Sequence, residues 1–203
     1  MCAENIPAEK RSLRKQILKM RDEMPFAVRS AKSKQILSTL SKTELYRKAD
    51  RILFYIDYQS EVMTTPLITQ ALAQGKCIYL PKVTGNEMAF YRIDDIENLA
   101  EGYKGIREPM GGALFEENAA AALMIMPGAV FDKSRHRIGY GKGFYDRYLE
   151  RMREKNIKIA TVALCFECQM LNAIPCEIHD ILPDMILTEN NIYMEQKIKN
   201  QKI

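Results

Sequence analysis

The sequence predicts an α/β fold, with three layers (α/β/α) built on a mostly parallel sheet. Three observations carry that prediction. First, residues 51–57 (Arg-Ile-Leu-Phe-Tyr-Ile-Asp) and 76–83 are β-branched and aromatic runs, separated by a helical stretch at 65–74 that stops at Gly75. Strand, helix, strand at this spacing implies a right-handed parallel crossover. Second, the apolar run 121–126, closed by Pro127-Gly128, reads as a buried strand. After a long loop and a glycine turn, Phe144, Tyr145, Tyr148, Leu149 and Met152 then recur at helical spacing. Third, 158–166 and 185–188 supply two further strands, the second of them the last in the chain.

The remaining segments fit around this frame. Residues 8–24 form an amphipathic helix with Leu13, Ile17, Leu18 and Met20 on its apolar face, ended by Pro25. A second helix is expected over 26–40, and 87–93 alternates as one more strand. The tail, 190–203, is polar and lysine-rich and reads as a frayed helix. No internal repeat or linker divides the chain, so residues 1–203 are expected to form one domain.

Composition narrows the function classes. The chain has 203 residues, 47% of them apolar, and a formal charge of +4. Its cations are spread along the chain, which suits a small anionic ligand and gives no sign of a nucleic-acid face. Neither a signal peptide nor a membrane span is expected, and a cytoplasmic protein follows. Five cysteines, an odd number, fit a reducing compartment. Cys165-x-x-Cys168 followed by Cys176-x-x-His179 has the outline of a zinc site. However, the two pairs stand close together and Cys165 ends a buried strand, so buried or loop thiols are the better reading.

The chemistry concentrates in residues 137–149, Arg-Ile-Gly-Tyr-Gly-Lys-Gly-Phe-Tyr-Asp-Arg-Tyr-Leu. Gly139, Gly141 and Gly143 alternate ahead of a helix. Glycine lets backbone N–H groups approach a phosphate, and the helix N-terminus favours its charge. Arg137 and Lys142 add a forked donor and a compact point charge. Asp146, in the first turn of the helix, would repel a phosphate unless a cation lay between them, which points to Mg²⁺. Taken alone, Asp146 reads equally as a complement to the helix dipole. The spacing is that of neither a Walker A loop nor a dinucleotide fingerprint. On the first helix Lys10 and Arg14 project from one side, and Glu61 falls just past the first strand, where ligands gather in open α/β sheets. By themselves these read as a solvated basic face and a helix N-terminal carboxylate.

The block resembles the signature of the 5-formyltetrahydrofolate cyclo-ligases (methenyltetrahydrofolate synthetases): Pro-Gly, then Phe-Asp, then Arg-(Leu/Ile)-Gly-X-Gly-(Gly/Lys)-Gly-(Tyr/Phe)-Tyr-Asp. Here it reads Pro127-Gly128, Phe131-Asp132 and Arg137 through Asp146. Lys10-Arg-Ser-Leu-Arg14, Glu61, Gly105-Ile-Arg-Glu-Pro109 and His179-Asp180 follow the family order. Lys142 stands where many members have Gly, and Phe144 where Tyr is commoner.

The resemblance implies a Rossmann-like fold of the NagB/RpiA/CoA-transferase kind and an ATP- and Mg²⁺-dependent closure of 5-formyltetrahydrofolate to 5,10-methenyltetrahydrofolate. It assigns ATP binding to Lys10, Arg14 and Arg137–Tyr145 (Arg137, Ile138, Gly139, Tyr140, Gly141, Lys142, Gly143, Phe144, Tyr145). Folate binding falls to Ile56, Glu61 and residues Tyr140, Gly141, Lys142, Gly143 and Phe144. Arg137 and Lys142 are the catalytic cations, and Asp146 and Asp180 the Mg²⁺ ligands, with Asp184 an alternative to Asp180. Met88, Phe90 and Tyr103 serve equally as pocket wall or as core. The expected partners are 5-formyltetrahydrofolate and ATP, with no nucleic acid, no membrane and a monomeric chain. Two other classes compete: a catalytically silent folate- or nucleotide-binding module, and a different ATP-dependent kinase or ligase on the same scaffold.

Overall fold

The structure is a computed structural model, and it describes residues 6–115, 122–178 and 180–195. Its centre is a seven-stranded sheet in the order β12-β11-β9-β6-β1-β2-β3. The strands are β1 (Arg51–Leu53), β2 (Cys77–Thr84), β3 (Glu87–Ile93), β6 (Ala122–Met126), β9 (Ile159–Leu164), β11 (Met185–Leu187) and β12 (Ile192–Met194). From β11 to β2 every neighbouring pair is parallel, and the two edge strands, β3 and β12, run antiparallel. Two short sheets lie beside it: β4 (Leu99–Glu101) with β5 (Arg107–Pro109), and β7 (Val130–Asp132) with β8 (Arg137–Ile138) and β10 (Met170–Leu171).

Alternation along the buried strands sorts side chains to two faces. Leu123 and Ile125 of β6 point with Ile52 and Ile78 toward α2 (Phe26–Lys42), α3 (Glu44–Lys48) and α4 (Thr65–Ala73), where Ile36, Leu40, Tyr46 and Ile68 meet them. Met124 and Met126 point the other way with Leu53, Ala163 and Ile186, against Tyr148, Leu149 and Met152 of α5 (Phe144–Glu154). All these side chains are nearly or wholly buried. Burial of each leucine or isoleucine contributes about 1.5–3 kcal/mol. The result is the expected three-layer α/β/α arrangement.

The first helix, α1 (Ile6–Asp22), belongs to neither layer. Its Ile17, with Leu13 and Leu18, packs on Ala129, Val130, Ile138 and Ile174, over the small β10-β7-β8 sheet. It begins two residues before the expected start because Pro7 fits a first helical turn, where no N–H is needed.

Four expectations are corrected. The strand over 51–57 ends at Leu53. Beyond it Phe54 keeps one bond, from its N–H to the Tyr79 carbonyl (2.9 Å), before the chain leaves the ladder. The long loop after β6 contains the β7–β8 hairpin. Asp132 staples that hairpin, accepting from the His136 N–H (2.9 Å), facing His136 Nδ1 (2.9 Å) and accepting from the Ile174 N–H (3.2 Å). Residues 185–188 are not the last strand, since Ile192–Met194 forms β12, and that part of the tail is not helical. Its last eight residues lie outside the described ones, as does Ala121 of the expected 121–126 strand.

The chain between β1 and α4 is held by Asp57. One of its oxygens accepts from the N–H groups of Thr64 and Thr65 (both 2.9 Å) and from the Thr65 hydroxyl (2.7 Å), while the Thr64 hydroxyl, 3.2 Å away, donates its proton to the Tyr55 carbonyl (2.8 Å). Thr64, the residue at the cap position, makes no side-chain cap of its own. Replacing Asp57 by Ala is therefore expected to lower the unfolding free energy by about 1–2 kcal/mol. Urea denaturation should show this as a lower midpoint with an unchanged slope.

Candidate active site

A cavity of about 400 Å³ opens at the carboxyl ends of β1, β2 and β6. α1 contributes Arg14, Leu18 and Arg21, and the segment after β1 contributes Ile56, Tyr58 and Glu61. Tyr140, Lys142, Phe144 and Tyr145 come from the glycine turn and the start of α5. Tyr103, Lys104, Ile106 and Glu108, around the expected 105–109 segment, close the far side, with Met88 from β3. A larger hollow, about 530 Å³, lies at the other end of the strands between α5 and β9. It holds none of the signature residues, so the first cavity is the candidate site.

The glycine turn has the conformation its residues predict. Gly141 (φ +95°) and Gly143 (φ +62°) are left-handed, a region costly for any residue with a Cβ. At Gly139 a Cβ would stand 2.9 Å from Arg137 Nη1, so this glycine makes room for that guanidinium. At Gly128 a Cβ would stand 2.4 Å from the ring of Phe131, which explains the pairing of Pro-Gly with Phe-Asp in the signature. Arg14 binds the turn from outside: its Nε donates to the Gly139 carbonyl (2.7 Å), and its guanidinium lies 3.5 Å from where a Gly141 Cβ would be. Burial and the neighbouring Arg11 both lower the Arg14 pKa, a condition that a bound anion would relieve.

The remaining predicted residues divide into wall and brace. Lys142 is exposed at the rim, and Phe144 meets Tyr103 edge-on (5.8 Å between centroids). Arg137 is not on the wall. It is buried, donates from Nη2 to Asp146 Oδ1 (2.7 Å) and from Nη1 to the Pro127 carbonyl (3.4 Å), and its Nε has no partner among the described residues. Ile138 is buried against Ile17 and Val130, and its carbonyl accepts from the Ala129 N–H (2.8 Å). It therefore supports the turn rather than offering a side chain. Of the residues that serve as wall or core, Phe90 is core, packed on Tyr148, while Met88 and Tyr103 also face the cavity.

Lys10 sits one turn before Arg14 and lies between Asp180 (2.6 Å) and Glu177 (2.8 Å). Burial alone would lower its pKa, but hydrogen bonds and charge from the two carboxylates outweigh this, and the net shift is upward. Asp146 and Asp180 are thus each held by a different cation, and neither binds the other. Each nonetheless leaves its second oxygen without a hydrogen bond among the described residues. A free carboxylate oxygen is the kind of ligand Mg²⁺ takes, with one or two carboxylates and the rest of the shell from water and substrate phosphates. Among the described residues, however, no group of three or more His, Cys, Asp or Glu side chains stands together to hold a metal. Asp184 is committed elsewhere, accepting from the Thr161 N–H (2.8 Å) and hydroxyl (3.0 Å) at the other end of the strands. The cysteines do not assemble: Cys165 is buried with its thiol pKa pushed up by burial, Cys176 is exposed, and His179 lies outside the described residues.

Glu61 is buried on the cavity wall. Its Oε2 accepts from the Tyr58 N–H (2.9 Å) and its Oε1 from the Tyr140 hydroxyl. Burial raises its pKa, while Tyr140, Arg21 and the Tyr58 N–H oppose that shift. It does not cap α4; Asp57 does. Burial, reinforced by the Glu61 charge, also raises the hydroxyl pKa values of Tyr140 and Tyr145, so both phenols stay protonated. Sequence reasoning missed Arg21, Ser60 and Asp22 around this carboxylate. For Arg21 there was a signal: it stands seven residues after Arg14, on the same helix face.

Comparison with known proteins decides the family. The model of the 5-formyltetrahydrofolate cyclo-ligase family matches residues 6–189. The chain belongs to that family. The cyclo-ligase of Mus musculus is 30% identical over 200 residues, covering 94% of this chain and 98% of its own. The solution structure of a 5,10-methenyltetrahydrofolate synthetase from Aquifex aeolicus superposes with a TM-score of 0.83 at 30% identity, covering 96% of each chain. The synthetase from Mycoplasma pneumoniae shares the fold, with a TM-score of 0.71 at 22% identity over 89% of this chain and 99% of its own. The cyclo-ligase fold therefore extends over almost all of the present chain. Among its described residues, no helix is long and apolar enough to cross a membrane.

A test of the turn follows from its geometry. Gly141→Ala is expected to cost about 1–2 kcal/mol of stability through the left-handed φ. It should also weaken nucleotide binding, because relief of the strained φ re-aims the N–H groups of the turn; the methyl itself would only touch the Arg14 guanidinium at an ordinary 3.5 Å. Thermal unfolding and calorimetric titration with ATP would measure the two effects separately.

Proposed function

We propose that this chain is a 5-formyltetrahydrofolate cyclo-ligase, closing 5-formyltetrahydrofolate to 5,10-methenyltetrahydrofolate at the expense of ATP. The observation that carries the proposal is one cavity whose wall joins a phosphate-type glycine turn and cations to the buried carboxylate of Glu61, which the turn reaches through Tyr140. The chain is read as a one-domain cytoplasmic monomer acting on small molecules.

An N-formyl amide is a poor electrophile and its oxygen a poor leaving group. Transfer of the γ-phosphoryl group to that oxygen gives an iminium phosphate and ADP. The N10 amine then attacks the formyl carbon and loses its proton, and the C–O bond breaks to release phosphate. No side chain needs to form a covalent bond, so positioning and charge neutralisation carry the rate. Arg14, Lys142 and the N–H groups of the turn bind the triphosphate, with Lys142 facing the transferred group from the wall. Arg137 works from behind by holding Asp146. Lys10 likewise holds Asp180, and the two carboxylates are the proposed Mg²⁺ ligands. Bound there, Mg²⁺ would neutralise phosphate charge. Glu61 and Ile56 hold the pterin, the carboxylate accepting from the ring's amino-bearing edge.

The test is absorbance at the methenyltetrahydrofolate band with 5-formyltetrahydrofolate, ATP and Mg²⁺, each omitted in turn; a rise that needs all three is expected. Glu61→Ala should raise the folate KM about 10–100-fold, the loss of charge-assisted bonds. Asp146→Ala and Arg137→Ala should instead lower kcat about 100-fold. No methenyl product from the unaltered chain would sink the proposal, and a Glu61→Ala variant with an unchanged folate KM would sink the assignment of the pterin end.

A further inference from the structure

The reaction scheme makes no use of Arg21, yet this side chain is among the most deeply placed charges in the molecule, only 3% exposed. Its Nη1 donates to the Tyr140 hydroxyl (2.8 Å) and its Nε to Ser60 Oγ (2.9 Å). The Ser60 hydroxyl in turn donates to the Asp22 carboxylate. A guanidinium has donors only. Toward Arg21 the Tyr140 oxygen must therefore accept, and its one proton is left for Glu61, which it contacts. The direction of the hydroxyl is set by the chemistry of the arginine.

The consequence falls on Glu61. Tyr140 donates to one of its oxygens and the Tyr58 N–H to the other, so both are engaged as acceptors. A carboxylate offers about four lone-pair sites, so acceptor capacity remains on both oxygens. A protonated carboxyl would set its own O–H at one of these free sites, against any N–H donor of a ligand there. The groups facing Glu61 are Arg21 from α1, Tyr55 and Asp57 from the segment around it, Tyr140 from the glycine turn and Tyr145 from α5, while Asp22 faces Arg21. Arg21 is the only cation in that set.

We propose that Arg21 is a positioning residue which, acting through the Tyr140 hydroxyl, fixes Glu61 as an ionised two-oxygen acceptor for a ring edge with two adjacent N–H donors, such as the aminopyrimidine edge of a pterin. The proposal rests on the reading of Glu61 given above. In the signature, Tyr140 fills the variable position between the first two glycines, so the residue that varies is here the one that orders the carboxylate.

The experiment is steady-state kinetics with 5-formyltetrahydrofolate at saturating ATP and Mg²⁺, across roughly pH 6–8. It compares the unaltered chain with Arg21→Met, Arg21→Lys, Tyr140→Phe and the Arg21→Met/Tyr140→Phe pair. Arg21→Met should raise the folate KM about tenfold, with kcat within about twofold. That increase should grow as the pH falls, because a buried carboxylate stripped of its donor and its cation takes up a proton more readily. The KM of the unaltered chain should stay flat over the same range. Arg21→Lys should recover part of the loss, since an ammonium keeps the charge and one donor. The paired variant should be no worse than the worse single one, because both changes break the same chain of bonds.

Multiplied effects in the pair would overturn the proposal, as would an Arg21→Met variant that melts earlier with an unchanged folate KM and pH profile. Should Arg21→Met fail to fold, Tyr140→Phe removes only a hydroxyl and must show the same rise in KM and the same pH slope; a flat profile there also overturns it. A Glu61→Gln variant with unaltered folate KM would instead sink the reading of Glu61, and the proposal with it.

Discussion

A turn made of glycines cannot hold its own shape, and the loop from Gly139 to Gly143 is no exception. What fixes it is charge attached to other elements, above all the Arg14 guanidinium of α1 on the Gly139 carbonyl. The rest of the site follows from that contact. It lays α1 across the carboxyl ends of the strands and brings Lys10 to Asp180 on one side and Arg21 to Tyr140 on the other. From beneath, Arg137 reaches Asp146 through the space that Gly139 leaves. Removing side chains from the turn thus serves two ends: backbone N–H groups are bared for an anion, and two arginines can approach from opposite sides.

The proposed pterin end depends on a division of labour between two carboxylates four residues apart. Asp57 satisfies the first N–H groups of α4, a task that would otherwise draw in any nearby acidic side chain. Glu61 is left with one backbone donor, one phenol and a face on the cavity. Burial disfavours its charge and raises its pKa, and the surrounding donors oppose that shift without cancelling it. Two carboxylates of similar chemistry therefore do different work because of where the chain turns after β1.

Much of this was legible in the sequence. The parallel sheet followed from apolar runs alternating with helical stretches, because those strands are buried on both faces. The glycine turn was legible because its residue types are needed for stereochemical reasons. What escaped were features set by tertiary context. β12 is an edge strand of three residues, half-exposed or exposed, with too little apolar pattern to announce itself. Residues 54–57 look like strand but leave the ladder because Tyr55, Asp57 and Thr64 bind one another across the following loop. Arg21 reads as an ordinary surface cation near a helix end until Tyr140, 119 positions away, is set beside it. The placing of Arg137 behind the wall was equally invisible, since a motif gives residue types without saying which side of the backbone they take.

The bonds that seat α1 also say something about how the molecule is made. Lys10 is separated from Asp180 by 170 positions and from Glu177 by 167, while Arg14 is 125 from Gly139. Loops of that length must close before any of these contacts returns stability. The neighbours β1 and β2, by contrast, pair across a single short helix. The cations of α1 cannot all find their partners until residue 180 is present. The pocket thus rests on contacts of long sequence separation, which the pairing of β1 with β2 does not need.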